Sequence, residues 1–291
     1  MIVVFGSINV DVLVPVPHLP ARGETVLGST YRIAPGGKGA NQALAARRAG
    51  ADVFMAGAVG DDVFATIGLD LLRHDGVDLS LVATVDRPTG CAVITVDPEG
   101  ENQIAVASGA NLLARAAQVP DRLLRPETVL VLQREVPAEE NAVLVARARA
   151  RGARIVLSLA PAGPIEPARL KDIDIIIAND GEAATFGAPL SIARRLRQAL
   201  IITRGAEGAT ASLADGKRIS VPALAVEPVD TTGAGDTFAG VMAAGLDTGL
   251  ALESALRRAS VAAALSCLAL GAQAAMPSRE AIDEAAVRLR R

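Results

Sequence analysis

Met1-Ile-Val-Val-Phe-Gly6 is a continuous apolar run that ends on glycine. Such a run suits a strand buried on both faces, as the strands of parallel sheets are. Ala40–Ala49 follows, rich in helix formers and stopped at Gly50, the residue type that ends helices in a left-handed conformation. Asp52-Val-Phe-Met-Ala-Gly-Ala58 is a second apolar run. Asp62–Asp75 then reads as a helix with Asp61 or Asp62 near its N-cap. Strand, helix and strand with short links make a βαβ unit, and hence a parallel sheet.

The rhythm returns downstream. Strands are expected at Thr128–Leu132, Ile155–Leu159, Ile173–Ile177 and Ala199–Thr203, and a helix at Pro137–Arg151. Gly233–Leu246 and Leu250–Leu268 read as two long helices, the first with Ala234, Phe238, Val241, Met242 and Leu246 at helical spacing. The expected fold is α/β, a central mostly parallel sheet flanked by helices and spanning residues 1–291 as one domain. Two stretches break the pattern, Val10–Ile33 and Leu81–Val106, with short alternating segments between Pro, Gly and Asp. Val82–Thr84, Gly90–Val96 and Asn102–Val106 are expected as antiparallel strands, with Asp97–Gly100 a turn. These stretches are read as one small β-sheet, a lid on the main domain built from strands within about 10–33 and 81–106, the competing reading being edge strands of the main sheet.

Composition narrows the chemistry. The chain has 29 basic against 32 acidic residues, a net charge of −3, and 2% aromatics with no Trp. That excludes a strongly basic nucleic-acid footprint and a base-stacking platform. Two cysteines cannot build a disulfide framework or a four-thiolate metal site, and they read as reduced thiols of a cytoplasmic protein. The apolar start carries Asn9 and Asp11 and lacks the basic segment of a signal peptide. The uncharged run Ala259–Ser278 reaches the roughly 20 residues of a membrane span, but Gly271, Gln273 and Pro277 interrupt it. No membrane association is expected. Lysine is rare, at 38, 171 and 217 alone, so Lys38 inside a glycine-rich loop stands out.

The strongest local signal is Asp230-Thr-Thr-Gly-Ala-Gly-Asp236-Thr-Phe238, entering a long helix. Gly233 and Gly235 let the backbone approach a ligand, and the first free N–H groups of a helix make an anion site. Asp236 in that turn can accept a proton from a hydroxyl while the amides hold developing negative charge, which suits phosphoryl transfer to an alcohol. The competing reading is that Asp236 only complements the helix dipole. Gly36-Gly-Lys-Gly-Ala-Asn41 is a second glycine-rich helix entry, whose Lys38 and Asn41 either donate to substrate hydroxyls or face solvent. Asn9 and Asp11 follow the first strand, at the edge where α/β sheets bind ligands, although turn chemistry would also use them. A Rossmann fingerprint is excluded because Gly233-Ala-Gly235 lacks the third glycine, and a P-loop because Lys38 is followed by Gly.

Six blocks occur in order: Gly6-Ser-Ile-Asn-Val-Asp11, Arg22-Gly-Glu-Thr25, Gly36-Gly-Lys-Gly-Ala-Asn-Gln42, Ser108-Gly-Ala-Asn111, Asp230–Asp236 and Gly271-Ala-Gln273. Together they resemble the ribokinase-like, or PfkB, family of carbohydrate kinases over essentially the whole chain. Within that family the first and third blocks are most similar to the branch that phosphorylates D-ribose to D-ribose 5-phosphate. The resemblance implies a β lid that often clasps a homodimer, and transfer of the ATP γ-phosphate to a primary sugar hydroxyl. It implies Asp236 as general base and Gly233, Ala234 and Gly235 as the anion hole. It places Asn9, Asp11, Gly37, Lys38, Asn41 and Glu135 on the sugar. It places Asn179, Thr203, Gly205, Gly208, Gly235 and Ser260 on ATP, with Glu182 acting on Mg²⁺ through water. A K⁺ site beside the anion hole would use Asp230 and Thr232, with carbonyls near Ser266, Ala269 and Gly271.

The chain departs from the family pattern in places. Ala178 replaces the Pro usual before Asn179, Asp180-Gly181 replaces the usual acidic pattern, and the segment to Ala199 is short. Ala275 stands where a Ser hydroxyl often meets the cation. Arg134 either pairs with Glu135 or points to solvent. A nucleoside or other sugar kinase is the alternative within the family, and a catalytically silent sugar-binding protein is the alternative outside it.

Overall fold

The computed structural model describes residues 1–163, 166–185 and 187–288. Strands and helices are numbered in chain order. Seven strands run parallel: β1 (Ile2–Phe5), β4 (Val53–Val59), β5 (Asp78–Thr84), β8 (Val129–Leu132), β9 (Arg154–Ser158), β10 (Ile175–Asn179) and β11 (Ala199–Thr203). An antiparallel hairpin, β12 (Ala209–Leu213) and β13 (Arg218–Val221), extends one edge. The nine-stranded order is β13-β12-β11-β10-β9-β8-β1-β4-β5. Alternate residues of the central strands feed two separate cores. Ile2, Val4, Val129 and Val131 lie in one, and Val3, Phe5, Leu130 and Leu132 in the other. This is why β1 is apolar throughout rather than alternating.

Helices α1 (Lys38–Arg48), α2 (Val63–His74), α6 (Ala234–Asp247), α7 (Leu252–Ser266) and α8 (Arg279–Arg288) cover the first core. Helices α3 (Ala138–Ala150), α4 (Asp180–Ala184) and α5 (Pro189–Ala193) cover the second. Asp62, not Asp61, caps α2, accepting from the Ala65 amide at 2.8 Å. The expected mostly parallel sheet flanked by helices is therefore present.

A separate four-stranded sheet has the order β3-β2-β6-β7, from β2 (Asn9–Pro15), β3 (Arg32–Gly36), β6 (Gly90–Val96) and β7 (Asn102–Ala107). One expectation about it needs correction. Val82–Thr84 belongs to β5 and pairs parallel with β4, because β4, α2 and β5 form a second βαβ unit. Within the small sheet β6 and β7 pair antiparallel as expected, while β2 and β6 are parallel, since each follows a parallel strand of the large sheet, β1 or β5. The small sheet thus springs from the carboxyl edge of the large one, where open α/β sheets bind ligands.

Candidate active site

Three chain segments meet at that edge. Gly37 has φ of +90°, and a Cβ there would lie 2.6 Å from the Asn9 backbone nitrogen. A Cβ at Gly39 would lie 2.6 Å from the Ser7 nitrogen. The two glycines therefore let the start of α1 lie against the β1–β2 link. Its first-turn amides find partners there: Gly39 donates to Ser7 Oγ (3.2 Å), Ala40 to the Ser7 carbonyl (2.9 Å) and Lys38 to Glu135 Oε2 (3.2 Å). Ser7 Oγ donates to the same Glu135 oxygen at 2.6 Å. Glu135 is thus an anion set at a helix N-terminus, as well as a member of the site.

Asp236 lies in the first turn of α6 and is 7% exposed. Asn41 Nδ2 donates to its Oδ2 at 3.0 Å, and Gln42 Nε2 donates to its Oδ1 at 2.9 Å. Gly233 precedes the helix in the left-handed region, with φ of +78°. Of the amides expected to form the anion hole, Ala234 donates to the Thr231 carbonyl at 3.2 Å. The amides of Gly233, Gly235 and Asp236 have no acceptor among the described residues. A Cβ at Gly235 would meet nothing within 4 Å, so the space over this turn is open. An anion placed there meets unengaged N–H groups and the positive end of the helix.

Asn9 and Asp11 come from β2. Asn9 Oδ1 accepts from Asn111 Nδ2 at 2.7 Å, while Asn111 Oδ1 accepts from the Ile8 amide at 2.9 Å. Asn111 therefore fixes the Asn9 amide with its nitrogen left to donate elsewhere. Asp11 is close enough to its neighbour strand that a Cβ at Gly36 would lie 2.3 Å from Asp11 Oδ2.

Charge links these groups. Burial raises the Asp236 carboxyl above its ordinary value, while Lys38, Asn41 and Gln42 pull it back. Burial, then Glu135 and Asp236, push Asp11 up to about 6, against the pull of Lys38. Asp236 above all, then Glu135, Glu182 and Asp11, hold Lys38 above its usual value despite its burial. One ammonium serves four carboxylates.

The residues expected on the nucleotide form a second, contiguous patch. Asn179 and Thr203 are register partners at the ends of β10 and β11. Asn179 caps α4 reciprocally with Glu182: the Glu182 amide donates to Asn179 Oδ1 (2.8 Å), and the Asn179 amide to Glu182 Oε2 (2.9 Å). Gly205 is open to space, whereas a Cβ at Gly208 would lie 2.1 Å from the Val221 carbonyl oxygen. Ser260 is buried and donates to the Pro222 carbonyl at 3.0 Å, so its hydroxyl hydrogen ties α7 to the end of β13. Arg134 does not simply face solvent, since its guanidinium donates to the Gly163 carbonyl.

Beside the α6 turn, Asp230 accepts from the Thr232 amide and the Gly271 amide, each at 2.8 Å. Burial works to raise this carboxyl, but hydrogen bonds from Thr232 and Gly271 outweigh it and hold it below its ordinary value. The Asp230 amide reaches the Cys267 carbonyl at 3.2 Å, so the 266–271 loop lies against the 230–232 turn. Ser266 Oγ donates to the Ala263 carbonyl. Among the described residues no cluster of three or more His, Cys, Asp or Glu could hold a metal ion. No described helix is long and apolar enough to cross a membrane.

Three contributors were not singled out by the sequence: Ser7, Gln42 and Asn111. Each lies inside a quoted block, and each acts on another site residue.

A family model described as pfkB family carbohydrate kinase matches residues 1–279. Ribokinase of Bacillus subtilis (strain 168) is 38% identical over 288 residues, covering 97% of this chain and 98% of that protein. The solved structure of Arabidopsis thaliana ribokinase complexed with ribose and ATP has a TM-score of 0.89 at 30% identity, covering 98% of each chain. That of Burkholderia thailandensis nucleoside kinase in complex with inosine has a TM-score of 0.85 at 28% identity, covering 99% of this chain and 96% of that one.

Proposed function

Since the chain belongs to the pfkB family of carbohydrate kinases, it is a phosphotransferase, and we propose that it moves the γ-phosphoryl group of ATP to the 5-hydroxyl of D-ribose. The observation that carries this reading is Asp236, a buried carboxylate at a helix start whose neighbouring amides are unengaged. The 5-hydroxyl gives its proton to Asp236 as its oxygen attacks the γ-phosphorus. The bond to the β-phosphate bridging oxygen breaks, and ADP leaves. The amides of Gly233, Gly235 and Asp236 face the charge on the transferring group, where positioning and electrostatics dominate catalysis. Asn9, Asp11, Lys38, Asn41 and Glu135 supply donors and acceptors for the remaining sugar hydroxyls, and Gly37 gives them room.

ATP would lie along Asn179, Thr203, Gly205, Gly208 and Ser260, toward Gly235. Gly205 offers an open backbone, while Gly208 and Ser260 shape the wall. Mg²⁺ neutralises phosphate charge when bound. A single carboxylate, Glu182, with one oxygen outside the α4 cap suits an ion that keeps most of its water. An ionised Asp230 beside carbonyls of Thr232, Ser266, Ala269 and Gly271 suits a monovalent cation such as K⁺. ATP and two free thiols fit a cytoplasmic setting.

The small sheet would serve as a lid over the sugar and as the contact between two copies of the chain. Its exposed Ile104 and Val106, on the same face as Asp11, are the apolar side chains a dimer would cover, while Ile33 and Val93 lie on the opposite face. The likeness to a nucleoside kinase supports a second acceptor class. ADP formation from ATP and Mg²⁺ across ribose, 2-deoxyribose, fructose, adenosine and inosine, with and without K⁺, tests the reading. A dominant response to ribose is expected. Preference for a nucleoside would keep the reaction and replace the acceptor.

A further inference from the structure

We propose that Gln42 is a positioning residue for the base: it holds Asp236 in its working orientation and in its ionised form. The inference rests on the kinase reading above and extends it to a residue that touches neither sugar nor nucleotide there. Gln42 is fully buried on α1, and its Nε2 donates to Asp236 Oδ1 at 2.9 Å. Its Oε1 is buried with no partner among the described residues. An ionised carboxylate only accepts, so the amide must turn its NH₂ toward Asp236. The arrangement leaves a carbonyl unpartnered to keep that donor in place. It serves the carboxylate at the expense of the amide.

The backbone is built to deliver this contact. Gly240 lies four residues after Asp236, on the same face of α6. A Cβ there would lie 2.4 Å from the Gln42 carbonyl oxygen and 2.9 Å from the Ala46 nitrogen. The glycine lets α1 approach α6 closely at the point where Asn41 and Gln42 reach the base. Each amide takes one carboxylate oxygen, which fixes the rotation of the group. Each oxygen keeps a further lone pair for the incoming hydroxyl proton.

The ionised state needs this support. The charged groups acting on Asp236 are Lys38 at the start of α1, Glu135 after β8 and Asp11 on β2. Two of the three are carboxylates, which oppose its ionisation, and burial opposes it further. Donors to the charged form oppose both effects. Asn41 is placed on the sugar as well in the proposed function, so Gln42 is the donor whose role there is confined to the base.

The test is the pH dependence of kcat/KM for Gln42→Met, which keeps shape and removes the donor. The acid limb is expected to move up by about one pH unit, so that kcat/KM falls by up to about tenfold on that limb and recovers at higher pH. Ribose affinity by calorimetry should stay within about threefold, since the sugar contacts remain. In an Asp236→Asn background the same substitution should cost nothing further. Should Gln42→Met fail to fold, Gln42→Glu keeps the size, and its second carboxyl should move the acid limb further up. A loss independent of pH, or one that persists in the Asp236→Asn background, overturns the role of Gln42 alone. A folded wild-type protein that binds sugars yet forms no ADP overturns the kinase reading and this inference with it.

Discussion

Asp11 carries a measurable energetic cost at the proposed site. Its carboxyl is pushed up to about 6 by burial and by its acidic neighbours. The folded protein therefore holds that proton more tightly than the unfolded chain does. Stability from this group is complete at low pH and is lost as pH rises from about 4 through about 6. Asp11→Asn should then be more stable than the wild type at pH 8, by about 1–3 kcal/mol, and about equal at pH 4. Urea unfolding at the two pH values measures the difference, and ribose binding should weaken in the same variant. Asp236, Lys38 and Asn41 were legible in the sequence because glycine-rich helix entries are rare and their purpose is physical. Ser7, Gln42 and Asn111 were less so, because their contacts are made to residues between 32 and 194 positions away. Spacing along one chain does not encode such pairs.

At the scale of elements, two glycines of α6 make opposite demands. A Cβ at Gly240 meets the backbone of α1, whereas one at Gly235 meets nothing within 4 Å. Gly240→Ala should destabilise the fold by about 1–3 kcal/mol through overpacking, read by thermal or urea unfolding. Gly235→Ala should leave stability unchanged or improve it by up to about 1 kcal/mol, since alanine favours helix. The added methyl would enter the open space at the amides, so turnover should still fall, by about tenfold or more. The strands β1, β4 and β8 to β11 were readable because burial on both faces demands continuous apolar runs. The β12–β13 hairpin was not, since Ala209-Thr-Ala-Ser-Leu213 mixes small and polar residues at an edge. Val82–Thr84 went to the wrong sheet because a short alternating segment does not say which neighbour it pairs with.

At the scale of the molecule, the carboxyl edge of one parallel sheet gathers every segment of the proposed site. The sugar-side cluster follows β1 and β8, and the nucleotide-side patch follows β10 and β11. The charge of Glu182 is felt at Lys38, so the two halves are electrostatically joined. The small sheet springs from the same edge, and its exposed Ile104 and Val106, on the Asp11 face, suit the proposed contact with a second copy of the chain. In the proposed dimer, Ile104→Lys on β7 should shift the mass measured by light scattering to that of a monomer and raise KM for the sugar.

The central claim is that Asp236 takes the proton of the acceptor hydroxyl. It is tested most directly by the turnover of Asp236→Asn with ATP, Mg²⁺ and ribose, with ribose binding measured on the same sample. The variant keeps shape and removes the base. Turnover is predicted to fall by about 10²–10⁴ with sugar affinity nearly intact. Turnover within a few-fold of wild type, or a loss matched by an equal loss of ribose affinity, would contradict it.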